Sequence, residues 1–461
     1  MPCYFGRTMR RLINWAVAAR KLYPNKRILA TKLNVKAAYR RCHLNAATAV
    51  QTCTQIPSEG LALLMLRLTF GGAPCPSEWG AIAESICNLA NAILLNDEWN
   101  PLSLQSPTQH LGPNKIILDD DIPFGIGRDL VVDIPVDPRG IIDLYIDDYC
   151  GLTVDIGDNA IRLERAPLLA LVSAARKVAT TEPLPRDDME AQNKLVAGAG
   201  LTEIKTFLGW LINFRRMTIA LPDNKFKAYS LAISEMLKRG CTSHGEMETN
   251  IGRWVHLGQI IPTVHHFLSR LHFLKQRAEN RRQITINEQC KEDLRFLLFV
   301  LGKCREGIDL NLIAYQRPTH VYRSDSCPAG LGGYSHEGFV WRFYLPDDLK
   351  FRASNNLLEH LAGIITPWID IIAGRLTKGD CALSMTDSTT SEGWLRKSNF
   401  IEDGEDPIQA TIRIEVARLH ATHYLSNKIR EYSQWFRRAD NNVADTLSGD
   451  NNRTDDKLTC I

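Results

Sequence analysis

Residues 141–155, IIDLYIDDYCGLTVD, carry two strand-forming runs on either side of a pair of carboxylates. The pattern predicts a β-hairpin with Asp147 and Asp148 at its turn. No other stretch constrains the fold so closely. Two adjacent like charges at the tip of a half-buried hairpin need either water or a cation. A solvated turn meets the first need. A divalent-metal site meets the second, and it requires another carboxylate from a different segment.

The 461 residues are enough for two to four domains with cores of their own. Hydrophobic residues make up 44% and charged residues 23%, as in an ordinary globular protein. The twelve cysteines include no CxxC pair, so neither a zinc ribbon nor a disulfide framework is indicated. Reduced thiols point to an intracellular protein, cytoplasmic or nuclear and not secreted. No apolar run reaches the roughly 20 residues that span a bilayer, so no membrane partner is expected. The best candidate, Leu357 to Leu376, contains Glu359, His360 and Asp370 and reads as a buried amphipathic helix.

Charge is unevenly spread although the net value is only +3. Residues 1–58 hold eleven Lys or Arg and no Asp or Glu. A basic lobe of this kind suits a phosphate backbone. The same composition occurs on solvated basic faces and in organelle transit peptides.

Along the chain, 9–20 suits an amphipathic helix, 27–35 a strand and 63–70 another strand ending in the Gly- and Pro-rich GGAPCPSEWG. Trp79, Ile82, Ile86, Leu89 and Ile93 recur at helical spacing after Ser77. Residues 96–141 lack periodicity and read as an insertion or long loop. A helix is expected at 161–178 and a hairpin at 206–222. From 223 to about 300 the pattern is helical, with a capping box at Ser243 and Glu246. The stretch 268–282 is rich in Lys and Arg and suits a nucleic-acid track or a solvated helix face. From about 316 strands and helices alternate, as in a separate mixed domain.

The order of the first segments resembles a reverse transcriptase. Tyr145-Ile-Asp-Asp148 matches that family's YxDD hairpin, and LTFGGAPCPSEW (68–79) its Phe-Gly, Ala-Pro turn. TFLGWLINFRRMTIALP (206–222) is similar to its Leu-Gly primer-grip hairpin. LNVKAAYRR (33–41) is similar to the motif that normally begins Leu-Asp-Val-Lys. The resemblance covers about residues 1–222. It implies a palm with partial fingers, metal ions on Asp147 and Asp148, and a third metal-binding Asp at position 34. This chain has Asn34 there. An amide brings no negative charge, so polymerase activity is expected to be severely impaired. The resemblance also places Tyr39 under the incoming sugar, Gly71 and Gly72 against template or nucleotide, and Lys194 near the triphosphate. A packed core tyrosine and a plain turn are the simpler readings of Tyr39 and of the glycines. Most of the fingers subdomain is expected to be missing upstream.

Four further acids lie in the last third: Asp325 at a strand end, Glu359 on the next helix, Asp387 at a second strand end and Asp445 at a helix start. Brought together, they would repel unless cations neutralised them. The strand Asp followed by Gly-Gly, the Thr-Asp-Ser and the Asn-x-x-Ala-Asp-x-Leu-Ser resemble a ribonuclease H domain. Gly449 stands where that family usually has Arg, and Asp440 is a neighbour not assigned to the site.

Together these resemblances imply an α/β and α+β multidomain chain of retrotransposon polyprotein type, in a degenerate copy. Its expected parts are a reverse transcriptase palm over 1–222 with 96–141 inserted, a helical thumb or connection over 223–315, and a ribonuclease H-like mixed-sheet domain over 316–461. The implied cofactor is Mg²⁺ or Mn²⁺, bound by Asp147 and Asp148 and by Asp325, Glu359, Asp387 and Asp445, all of them catalytic. The implied partners are an RNA template, a DNA primer, an RNA–DNA hybrid and dNTPs; the oligomeric state is not indicated. Two other functions fit the same residues: a nucleic-acid-binding remnant without catalysis, and a hybrid-specific ribonuclease alone.

Overall fold

The computed structural model describes residues 5–72, 75–103, 122–174, 200–279, 282–347, 353–396 and 406–449. The chain is mixed α/β and divides into two compact units, 1–218 and 219–461. Residues 223–315 fall in the same unit as the sheet that follows them.

In the first unit, helix α1 (Thr8–Leu22) buries Leu12, Ile13, Ala16 and Val17. Strand β1 (Ile28–Asn34) is almost wholly buried. A short helix α2 (Ala46–Gln51) and the exposed hairpin β2 (Thr54–Ile56) and β3 (Leu61–Leu63) follow. The strand expected over 63–70 is not formed. Beyond Leu63 only an isolated bridge joins Arg67 to His43, and Leu64, Leu66 and Phe70 are exposed. The segment meets 42–44 through Leu44 N to the Leu66 carbonyl at 3.0 Å and Leu68 N to the Cys42 carbonyl at 3.1 Å, but the pairing stops at that one bridge and does not extend into a ladder.

Helix α3 (Cys75–Leu94) packs through Trp79, Ala83, Ile86, Ala90 and Leu94, and leaves Ile82 and Leu89 exposed. Small residues thus complete the buried stripe. Strands β4 (Ile141–Tyr145) and β5 (Asp148–Val154) form the expected hairpin, and β5 lies between β4 and β1, antiparallel to both. Arg11 of α1 clamps Asp143 of β4 through two hydrogen bonds of 2.5 and 2.6 Å. Helix α4 (Asn159–Ala174) covers β5 closely because Gly151 has no side chain; a Cβ there would lie 2.8 Å from Leu163. Strands β6 (Ile204–Phe207) and β7 (Trp210–Asn213) make the next hairpin. Of the 96–141 segment, the described part (96–103 and 122–140) carries only a short 3₁₀ turn at Pro101–Ser103 and no strand, and 104–121 lies outside the described residues.

The second unit opens with short strands β8 (Thr218–Ala220), β9 (Cys241–Thr242), β10 (Ile284–Thr285) and β11 (Ile308–Asp309) among helices α5 (Asp223–Arg239), α6 (His244–Gly258), α7 (Ser269–Ala278) and α8 (Glu288–Glu306). Ser243 caps α6 by accepting the Glu246 amide at 3.3 Å, while the Glu246 side chain turns to Thr242 and Arg239. The basic stretch 268–282 is partly paired within the chain: Arg270 with the fully buried Asp293 at 3.5 Å, Lys275 with Glu248 at 3.3 Å. Asp293 also receives Arg418 at 3.1 Å, which ties α8 to a later helix.

A five-stranded sheet then forms in the order β14 (Val340–Tyr344), β13 (Gly330–Ser335), β12 (His320–Cys327), β15 (Cys381–Thr386), β16 (Arg430–Trp435). The first three strands are antiparallel; β12, β15 and β16 run parallel. Helix α9 (Asn355–Ile372), capped by Ser354, buries Leu357, Leu358, Ala362 and Ile364. Helices α10 (Thr389–Arg396), α11 (Pro407–Asn427) and α12 (Asn442–Gly449) complete the unit. Helix α12 rests on β13 at Gly332, where a Cβ would lie 2.6 Å from Leu447 Cβ and 2.7 Å from Ser448 N. Gly332→Ala is therefore expected to destabilise the unit by about 1–3 kcal/mol through overpacking, read as a lower melting temperature by calorimetry. An unchanged melt would mean that α12 does not press on the strand.

Candidate functional site

Strand β12 sits where the sheet changes from antiparallel to parallel pairing, and the carboxyl ends of β12 and β15 open at this switch point. In α/β sheets such a crevice is the usual place for a ligand. Asp325 lies near the end of β12, opposite Gly332 of β13. Asp387 follows directly on β15, its carbonyl accepting the Trp435 indole N–H at 2.9 Å. Asp445 stands in the first turn of α12. Oxygens of Asp325, Asp387 and Asp445 all lie within 4.8 Å of one another.

Ser448, one turn along α12, ties two of these together. Its Oγ donates to Asp325 Oδ2 at 2.5 Å and lies 3.1 Å from the Asp445 carbonyl. Asn441, just before α12, donates to the Ser324 carbonyl at 3.2 Å and fixes the helix start against β12. The glycines of β13 allow this approach.

Glu359 is on the second turn of α9 and only 5% exposed. It is not one of the three acids that share the 4.8 Å cluster, but it responds to two of them. Burial pushes its carboxyl up to about 8, and the charges of Asp325 and Asp387 push the same way, against an opposing pull from Ser326. Among the described residues its Oε2 is buried with no hydrogen-bond partner. Burial likewise pushes Asp325 up to about 6; Ser448 opposes this, and Asp445 and Asp387 add to it. Asp387 is raised by burial and then by Asp445. Hard oxygen donors, mutual repulsion and an orphaned buried carboxylate oxygen are together what a divalent cation satisfies. These residues fit a divalent cation. Asp440, in the turn before α12, is exposed, and its carbonyl accepts from Arg323.

The first unit holds the other carboxylate pair, and its surroundings differ. Asp147 is in the two-residue turn and Asp148 is the first residue of β5. Ile146, with φ +57°, takes a left-handed conformation that a β-branched residue rarely adopts. The Trp79 indole holds it by donating to the Ile146 carbonyl at 2.7 Å. Asn34 faces Asp148 across the β1–β5 ladder. Its Nδ2 donates to Asp148 Oδ1 at 2.6 Å and to Asp147 Oδ2 at 3.1 Å. Lys32 Nζ lies 2.6 Å from Asp148 Oδ2. Lys205 of β6, lowered to about 8 by burial, adds positive potential next to Lys32.

Tyr39 is packed in the core of the first unit and meets Phe70 edge-to-face at 5.1 Å. Gly71 has φ +87°, and a Cβ on Gly72 would lie 2.6 Å from Cys75 Sγ, so both serve a tight turn. Lys194 lies outside the described residues. Sequence reasoning missed Lys32 and Ser448. Strand spacing puts Lys32 on the same face as Asn34, but only the register of β1 on β5 sets it beside Asp148. Ser448 ends the Asn-x-x-Ala-Asp-x-Leu-Ser motif, whose spacing alone gives it no role.

No protein-family model matches the sequence, and no curated protein matches it. Among solved structures, the N-terminal ribonuclease H domain of a Mycobacterium tuberculosis protein, fused to maltose-binding protein, is similar at 19% identity and TM-score 0.22, over 28% of this chain and 91% of that one. The foamy viral protease–reverse transcriptase dRH, in complex with double-stranded DNA, is similar at 11% identity and TM-score 0.23, over 88% of this chain and 58% of that one. A foamy viral protease–reverse transcriptase with double-stranded DNA gives 13% identity and TM-score 0.23, over 88% and 68%. This chain thus spans little more than half of the dRH chain. Overlap at this level fixes neither fold nor activity. No described helix is long and apolar enough to cross a membrane.

The raised Glu359 carboxyl has a consequence for stability. A folded-state value near 8, against an ordinary 4.5, means the folded chain holds this proton over a window where the unfolded chain has lost it. Stability from this group therefore falls as pH rises from about 4.5 to 8. Glu359→Gln removes the effect. In calorimetry without added divalent cation, the variant is expected to match the parent near pH 4.5 and to gain melting temperature on it steadily up to pH 8. A constant offset across that range would show that Glu359 ionises normally.

Proposed function

We propose that the second unit is a divalent-metal-dependent nuclease that hydrolyses the RNA strand of an RNA–DNA hybrid. The observation that carries this reading is the convergence of Asp325, Asp387 and Asp445 within 4.8 Å beside the buried, unpartnered Glu359 oxygen. These four residues would hold Mg²⁺ or Mn²⁺, the catalytic acids of the site. Such an ion, when bound, supplies a nucleophilic water and charge stabilisation at the phosphate. The chain's own residues set the stage. Ser448 orients Asp325, Asn441 anchors α12, and the glycines of β13 let that helix close on the strand. The 2′-hydroxyl is the feature by which such a site distinguishes RNA from DNA.

On this reading 316–461 is a ribonuclease H-like domain, 223–315 a helical connection and 1–222 a palm with partial fingers, in a chain of retrotransposon reverse transcriptase descent. Basic residues of the acid-free segment 1–58, other than Arg11, Arg20 and Lys32, then grip the backbone of template and primer. Tyr39, Gly71, Gly72 and Lys194 belong to the ancestral nucleotide site, and polymerase activity with dNTPs is lost or severely impaired. The Asn34 hydrogen bonds to both Asp147 and Asp148 favour the companion reading that the first unit binds nucleic acid without catalysis.

Asp387→Asn is expected to reduce Mg²⁺-dependent hybrid cleavage to background while hybrid affinity, measured by fluorescence anisotropy, stays close to that of the parent. Cleavage at the parent's rate would remove Asp387 from the site and the proposal with it.

A further inference from the structure

We propose that Lys32 is a tethered substitute for a metal ion, so that one of the two charges of the Asp147–Asp148 pair is balanced by the chain itself and the pair binds no divalent cation. This departs from what the reverse transcriptase resemblance implies, and it goes beyond the loss of one carboxylate at position 34. It also stands apart from the hydrolytic reading, which concerns other acids.

Both oxygens of Asp148 are engaged. Oδ1 accepts from Asn34 Nδ2 at 2.6 Å and Oδ2 meets Lys32 Nζ at 2.6 Å. The same amide reaches Asp147 Oδ2 at 3.1 Å. Lys32 and Asn34 are two apart on β1, so both side chains leave the same face of the sheet. On the facing strand Lys32 is opposite Cys150 and Asn34 opposite Asp148, which puts the lysine diagonal to Asp148 and within its reach. The amide orientation follows from its neighbours. Turning it over would aim a carbonyl oxygen at two carboxylates, whereas the N–H donors satisfy them.

The arrangement answers the repulsion that a cation otherwise would. One ammonium and one amide supply positive charge and hydrogen bonds to the paired acids. Lys32 and Asp148 are both partly buried, with side-chain exposures of 29% and 16%, so water screens the pair only in part. An incoming Mg²⁺ would have to displace the ammonium from Asp148 and would meet N–H groups where it needs oxygen. Asn34→Asp alone would therefore not rebuild a cation site. The new carboxylate would appear on the same strand face as Lys32 and pair with it. Cation binding requires removal of Lys32 as well.

The test is a count of Mn²⁺ bound to the full chain, read from the electron paramagnetic resonance signal of the free ion. Each protein is compared with its own Asp148→Asn derivative, so ions held elsewhere cancel. The parent is expected to lose no ion on Asp148→Asn, and neither is the Asn34→Asp variant. The Lys32→Thr/Asn34→Asp variant is expected to hold an additional ion and to lose it on Asp148→Asn. An Asp148-dependent ion in the parent would overturn the proposal. So would one in Asn34→Asp bound as tightly as in the double variant, or none in the double variant.

A second measurement covers the folding of these proteins. Lys32→Met should lower the melting temperature at neutral pH, and adding Asp148→Asn should recover much of the loss, because the unpaired charge is then gone. A Lys32→Met melt equal to the parent's would show that the ammonium does not neutralise the pair.

Discussion

Carboxylates gathered in a partly buried place repel one another, and the two units meet that repulsion by different means. In the second unit the strain is left standing. Asp325, Asp387 and Asp445 crowd within 4.8 Å, and Glu359 is driven up to about 8. No Lys or Arg pairs with the three crowded acids among the salt bridges of the described residues; Arg438 acts on Asp387 only at a distance. In the first unit Lys32 and Asn34 close the circuit directly. A site that retains uncompensated negative charge is one that still has use for a cation. A site with an ammonium on its carboxylates has less need of one, which is the basis of the proposal for Lys32.

The scaffolds around both sites follow from the same need to hold acids close. Glycine is the means on the sheet of the second unit, where Gly332 lets α12 bring Ser448 and Asp445 up against Asp325. The first unit holds its hairpin from outside. Trp79 bonds to the strained turn at Ile146, and Arg11 clamps Asp143 two residues before Tyr145. The hairpin tip is thus rigid whether or not the carboxylates perform chemistry. Neither contact involves the side chain at position 34.

Much of this was legible from the residues. The alternation in 141–155 predicts β4 and β5, but the turn expected at Asp147 and Asp148 forms one residue earlier, over Ile146 and Asp147, with Asp148 already paired to Tyr145. The order strand Asp, helix Glu, strand Asp, helix Asp anticipates the elements that carry the C-terminal acids. What escaped depends on contacts between distant segments. Residues 63–70 read as a strand, yet beyond Leu63 their pairing is limited to a single bridge to His43, and the extent of pairing is not written in local pattern. Nothing in the helical spacing of α3 says that Ala83 and Ala90 face inward while Ile82 and Leu89 face out. Lys32 reads as one of eleven basic residues until the register of β1 on β5 sets it beside Asp148. The role of Ser448 likewise appears only when α12 docks.

One assay sets the two sites against each other. A labelled RNA strand annealed to a recessed DNA primer is incubated with the full chain, Mg²⁺ and all four dNTPs, and both strands are followed. The expected result is internal cleavage of the RNA within the hybrid, dependent on Mg²⁺, with the primer neither cut nor extended. Primer extension with the RNA left intact would contradict it, since the working metal site would then be Asp147–Asp148 and not the acids of the second unit.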